Sequence, residues 1–205
     1  MSIQVAIVMG SASDWDVMSN ASKLLDKFGI EHESRVLSAH RTPKQLEEFI
    51  VEAENNGIQV FIAGAGLAAA LPGVVAAQTT IPVIGVPLIA GSLDGMDALM
   101  AIVQMPPGIP VGTVAIGKPG AINAALYAIS IMALKDESLA KQLKNYRAEQ
   151  AEKVLSATLG YAVPPTVRFS ILMVGCPTLT GTVCPSLPQL PLPGSRARLS
   201  PIIDT

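Results

Sequence analysis

The stretch NNGIQVFIAGAGLAAALPGVVAAQTTIPVIGVPLIAGSL, residues 55 to 93, contains no charged side chain, and its reading decides the fold. Taken as one apolar block it is long enough to cross the roughly 30 Å of hydrocarbon in a bilayer. Its punctuation argues otherwise. Gly64, Gly66, Pro72, Gly73, Pro82, Gly85 and Pro87 cut the run into pieces too short to span as a helix. What remains are two short runs, QVFIA (59–63) and PVIGV (82–86), each apolar without alternation, as in strands buried on both faces of a parallel sheet.

Outward from this stretch the same unit repeats. IQVAIVM (3–9) precedes a helical pattern near 15–28, and ESRVL (33–37) precedes one near 43–55. QVFIA precedes a short helix in the seventies, PVIGV one near 95–104, and VGTVAI (111–116) one near 120–134. This βα repetition predicts an α/β fold, an open parallel sheet with helices on both faces. Thr42 is placed to cap the second helix, with Pro43 at its first position and Gln45 as a capping-box partner. A last helix, about 138–155, carries Leu139, Leu143, Tyr146 and Val154 near one face and therefore needs a surface to cover, one that another subunit can supply.

At 205 residues with 15% charged, the chain suits one domain with a sizeable core. A net charge of −2 and the lack of any Lys/Arg run argue against nucleic acid or an anionic membrane as partner, and leave small ligands. No basic segment precedes the first apolar run, so the sequence reads as cytoplasmic without a signal peptide. The domain is expected over residues 1–157. From 158 to 205 the character changes: half of the sixteen prolines lie between Pro164 and Pro201, and the segment reads as an irregular Pro-rich tail. Cys176 and Cys184 fall in this tail and form neither a disulfide framework nor a metal set.

In an open α/β sheet, ligands sit beyond the carboxyl ends of the strands, so the residues following each strand are the candidates. After the first comes GSASDW: Ser11 and Ser13 offer hydroxyls, Asp14 can accept from a sugar diol, and a helix N-terminus favours an anion. Ser13 or Asp14 as a simple helix cap is the alternative. After the second comes SAHRTP, the strongest signal in the chain. His40 can exchange protons near neutral pH, Arg41 can hold a phosphate with a bidentate fork, and Ser38 stands beside them. His32 reads as a solvated loop histidine. After the third comes GAGLAAALPG, whose Ala65 and Gly66 amides can face a carboxylate or carbon dioxide; a tight strand-to-helix turn fits the same residues. After the fifth, GKPG puts Lys118 at the same edge. Neither a P-loop nor a dinucleotide fingerprint is present.

VAIVMGSASDW, VLSAHRTP, IAGAG, LPGVVAA, PVIGVPL, IVQMPPGIPVGTVAIGKPGA and NAAL, in this order, closely resemble the catalytic subunits of bacterial phosphoribosylaminoimidazole carboxylase, the 5-(carboxyamino)imidazole ribonucleotide mutases of purine biosynthesis. The resemblance covers about residues 1–155. It implies a flavodoxin-like α/β/α three-layer domain, assembled as a homo-octamer with sites between subunits, and no metal or organic cofactor. The implied reaction moves a carboxylate from the exocyclic nitrogen of an aminoimidazole ribotide to ring carbon 4, through release and recapture of carbon dioxide. His40 aligns with the general acid/base. Ser11, Ser13, Asp14, Ser38 and Arg41 align with positions that hold phosphate, ribose and the migrating carboxylate.

The third loop departs from that pattern. Leu67 stands where the family usually has glycine, and Ala70 where it has histidine. Ile89 and Ala90 replace polar residues, and Gln78 stands where lysine is common. Three readings stay open: an active or weakened mutase, a non-catalytic paralogue that binds the ribotide or completes an oligomer, and a direct carboxylase of aminoimidazole ribotide using carbon dioxide.

Overall fold

Alternation along the buried strands builds two cores, one on each side of a sheet. In the computed structural model, which describes residues 3–157, β1 (Val5–Met9) is buried at every position. Val5, Ile7 and Met9 enter one hydrophobic cluster, Ala6 and Val8 the other, as the two-residue period of extended chain requires. With β2 (His32–Val36), β3 (Val60–Gly66), β4 (Val83–Leu88) and β5 (Gly112–Thr113) it forms an all-parallel sheet in the order β2-β1-β3-β4-β5. This is the flavodoxin-like strand order, with its reversal point between β1 and β3.

Six α-helices among the described residues complete the three layers: α1 (Trp15–Lys27), α2 (Pro43–Asn55), α3 (Leu71–Ala76), α4 (Met96–Val103), α5 (Lys118–Met132) and α6 (Glu137–Leu155). α1, α5 and α6 share the cluster built on Val5 and Ile7, whereas α2, α3 and α4 share that of Ala6 and Val8. Gly120, Ala121, Ala124, Ala125 and Ala128 give α5 a buried face of small residues, and at Gly120 a Cβ would stand 1.7 Å from the Ala115 carbonyl oxygen. α1 and α2 end alike. Gly29 and Gly57 take φ of 69° and 85°. The following amides of Ile30 and Ile58 reach back to Leu25 and Ala53, both at about 3.0–3.1 Å, which satisfies carbonyls a helix end would leave open.

The charge-free stretch forms β3, α3 and β4, and no helix among the described residues is long and apolar enough to cross a membrane. Among the differences from expectation, two concern the later elements. β5 was expected over 111–116 but pairs with β4 only at Gly112 and Thr113. The Pro87 carbonyl points to that side, accepting from Gly117 at 2.8 Å, and proline has no N–H to continue the ladder. α6 uses its own domain as the surface it needs: Leu139 is buried, and Leu143 and Tyr146 pack on the core with α5. Val154 stays 75% exposed. The tail expected over 158–205, with its cysteines, lies outside the described residues.

Candidate active site

Three loops, those after β1, β2 and β3, meet around a cavity of about 510 Å³ at the carboxyl ends of the strands. Ser11 begins the first by capping a short 3₁₀ turn (Ala12–Asp14) that runs into α1. Its Oγ accepts from the Ser13 amide at 3.4 Å, and the Asp14 carboxylate accepts from the Ser11 amide at 3.0 Å. The Ser11 and Ser13 hydroxyls lie 2.9 Å apart. Capping was expected, as an alternative, of Ser13 or Asp14; Ser11 supplies the hydroxyl and Asp14 closes the box. Partial burial pushes the Asp14 carboxyl up from its usual range, against the Ser11 and Gly10 amides and the Arg41 guanidinium, which lower it. A ligand that desolvated this carboxylate further without donating to it would be disfavoured, whereas a diol donates.

The second loop carries Ser38, His40 and Arg41, and it leans on the first. The Arg41 amide and Nε donate to Ser38 Oγ at 3.2 and 3.4 Å, while Nη2 donates to the Gly10 carbonyl at 2.6 Å. The guanidinium thus bridges the β1 and β2 loops, and Arg41 lines the cavity. His40 is exposed at the cavity wall and its ring makes no hydrogen bond to another described residue. Thr42, expected as a helix cap, makes no capping bond. Its hydroxyl binds Ser38 instead.

The third loop supplies the apolar wall. β3 runs three residues beyond its expected end, so Ala65 and Gly66 are the last two residues of the strand, in register with Pro87 and Leu88. At Gly66 a Cβ would lie 2.9 Å from the Ala90 Cβ, so glycine is what lets the β3 and β4 loops close on each other. Leu67 takes φ of 54°, a left-handed conformation that costs a Cβ-bearing residue roughly 1–2 kcal/mol. Ala70 stands at the N-cap of α3 and caps nothing with its side chain.

Five further positions are placed by the structure. Ala90 lines the cavity, while Lys118, at the first turn of α5, and Ile89 do not. Gln78 lines a larger hollow of about 790 Å³ at the opposite ends of the strands, where no His, Lys or Arg is present among the described residues. His32 is not a solvated histidine: its side chain is 10% exposed. It pairs with Ser22 Oγ at 2.7 Å and the Ile30 carbonyl at 3.0 Å. The residue missed by sequence reasoning is Thr42 in its true role, and the Ser-x-x-x-Thr spacing before a proline was the available signal.

A flavodoxin-like α/β/α domain, with an imidazole, a guanidinium, a carboxylate and hydroxyls gathered at its switch point, defines an α/β protein built to take a small polar ligand at that edge. The chain belongs to the AIR carboxylase family, whose model matches residues 4–153. It is 53% identical over 152 residues to the N5-carboxyaminoimidazole ribonucleotide mutase of Escherichia coli (strain K12), covering 74% of this chain and 90% of that protein. To the mutase of the same name from Brucella melitensis it is 53% identical over 154 residues, covering 75% and 95%. Among solved structures, Treponema denticola PurE superposes with a TM-score of 0.68 at 32% identity, over 74% of this chain and 94% of that one.

Proposed function

We propose that the chain is an N5-carboxyaminoimidazole ribonucleotide mutase of purine biosynthesis, with His40 as its general acid/base. The observation that carries this reading is the convergence of His40, Arg41, Asp14, Ser11, Ser13 and Ser38 on one cavity beside an apolar wall. The substrate's phosphate matches the Arg41 fork and the serine hydroxyls, and its ribose diol matches Asp14. Breaking the bond between the exocyclic nitrogen and the carboxylate releases carbon dioxide and requires a proton on nitrogen. Ring carbon 4 then bonds to carbon dioxide and gives up its own proton. One imidazole that first donates and then accepts balances both steps, so His40 ends as it began. The wall formed by Ala65, Gly66, Ala68 and Ala69 keeps carbon dioxide near the ring and water away.

A homo-octamer is the proposed assembly. Leu93, Met96, Met100 and Val103, each about half exposed, form an apolar stripe along α4 and the turn before it, the kind of surface that marks an interface. A solution mass eight times that of the chain is expected from light scattering; a monomer mass would refute the assembly.

Direct assay with N5-carboxyaminoimidazole ribonucleotide, and separately with aminoimidazole ribonucleotide plus carbon dioxide, tests the function. Conversion of the first alone supports the mutase, and conversion of the second alone would replace it with direct carboxylation. A weakened or binding-only protein is favoured by one specific observation, the strained Leu67 beside a capless Ala70. Restoring both positions as Leu67→Gly with Ala70→His should raise turnover about tenfold, because an added imidazole can bond the migrating carboxylate. The glycine also relieves the φ of 54°. No gain in turnover together with a lower melting temperature would favour a drier, repacked loop that serves binding only.

A further inference from the structure

Thr42 is the residue of the site whose side-chain hydrogen bonds serve neither helix nor ligand, although its carbonyl accepts the Leu46 amide of α2 at 3.1 Å. Its Oγ1 accepts the Ser38 amide at 2.8 Å and donates to the Ser38 carbonyl at 3.2 Å. The Thr42 amide reaches the same carbonyl at 2.9 Å. Both backbone polar groups of one residue are thereby held by one side chain four positions on. Between these anchor points lie Ala39, His40 and Arg41, a turn closed at its base. The anchored residue passes the constraint on, since Ser38 Oγ holds both the amide and Nε of Arg41.

We propose that Thr42 is a positioning residue, whose hydroxyl fixes the Ser38–Arg41 turn and so aims the His40 ring and the Arg41 guanidinium at the substrate. Three features support this role. Thr42 stands at the N-cap of α2, where its hydroxyl would ordinarily bond the helix, and it makes no such bond. Its β-branched side chain has few rotamers, so a hydroxyl placed this way stays placed. His40 makes no hydrogen bond of its own to another described residue, so its direction depends on the turn that carries it.

The kinetic consequence rests on the mutase reading, whereas a binding readout does not. Thr42→Val keeps the shape and removes the hydroxyl; Thr42→Ser keeps the hydroxyl; Thr42→Ala removes both. With the full chain, Thr42→Val should lower kcat/KM about tenfold to thirtyfold, chiefly in kcat, since small misplacement of reacting groups is costly in rate. The same variant should weaken ribose 5-phosphate binding, read by calorimetry, about threefold or more through Arg41. Thr42→Ser should stay within about threefold of the parent in both. If Thr42→Val does not fold, the Ser and Ala variants decide. Activity of Ser above Ala supports the proposal, and equal activity of the two overturns it. Equal behaviour of Val and the parent, or equal losses in Val and Ser, also overturns it. A parent chain without turnover sinks the mutase reading alone, because the order of ribose 5-phosphate affinities still tests Thr42. A parent that neither turns over nor binds sinks both.

Discussion

His40→Asn should lower kcat by at least about 10²-fold, the usual worth of a positioned proton-transfer group, with melting temperature unchanged. The two halves of this expectation have separate causes. Stability is spared because the ring is exposed and bonds no other described residue. Asparagine is also at ease in turns. Rate is lost because an amide cannot exchange protons near neutral pH, and the proposed reaction needs a proton placed on nitrogen and another removed from carbon. Steady-state kinetics and thermal unfolding on the same preparation check both. Full activity in this variant would remove His40 from the mechanism, and a large fall in melting temperature would show that it is structural.

Arg41→Ala should weaken ribotide binding about 10²-fold while changing riboside affinity by less than about threefold, because charge-assisted bonds to phosphate contribute roughly 1.5–3 kcal/mol each. The guanidinium already engages two of its three nitrogens, Nε on Ser38 Oγ and Nη2 on the Gly10 carbonyl, so its removal also frees the β1 loop from the β2 loop. That loss is modest, since the bond is exposed and water can replace it. Comparing ribotide and riboside isolates the phosphate contribution: equal losses for the two would show that Arg41 acts only as the strap between loops. Arg41→Lys should recover little, since a point charge cannot reproduce the fork.

The frame of this molecule is written plainly in its chain. QVFIA and PVIGV announce buried strands by lacking alternation, and the βα repetition around them announces the layers. The first two loops of the site were equally legible, because SASDW and SAHRTP concentrate the polar groups that an otherwise apolar sequence withholds. What was not legible depends on partners distant in sequence or on backbone direction. Thr42 fits a helix cap by local pattern; only the path of the preceding turn, which brings Ser38 within 2.8 Å, diverts its hydroxyl. His32 reads as solvated because one of its two partners, Ser22, lies ten positions earlier on α1, and only the fold brings that hydroxyl to its ring. The early end of β5 was hidden because its cause, Pro87, sits on the neighbouring strand.

The strand order has a bearing on how the protein comes into being. Every group proposed to meet the ligand lies between residues 10 and 71, whereas the neighbour that completes β3, and the helix α5 that seals α1, lie further along the chain. A nascent polypeptide therefore presents its reactive histidine and arginine to the surroundings before the scaffold that gives them direction has left the ribosome. Through that interval the apolar β3 has one free edge and an uncovered face, the condition in which strands pair with the wrong neighbour. Codon changes that slow synthesis between β3 and β4 should cost soluble yield, while leaving the chains that do mature with undiminished specific activity.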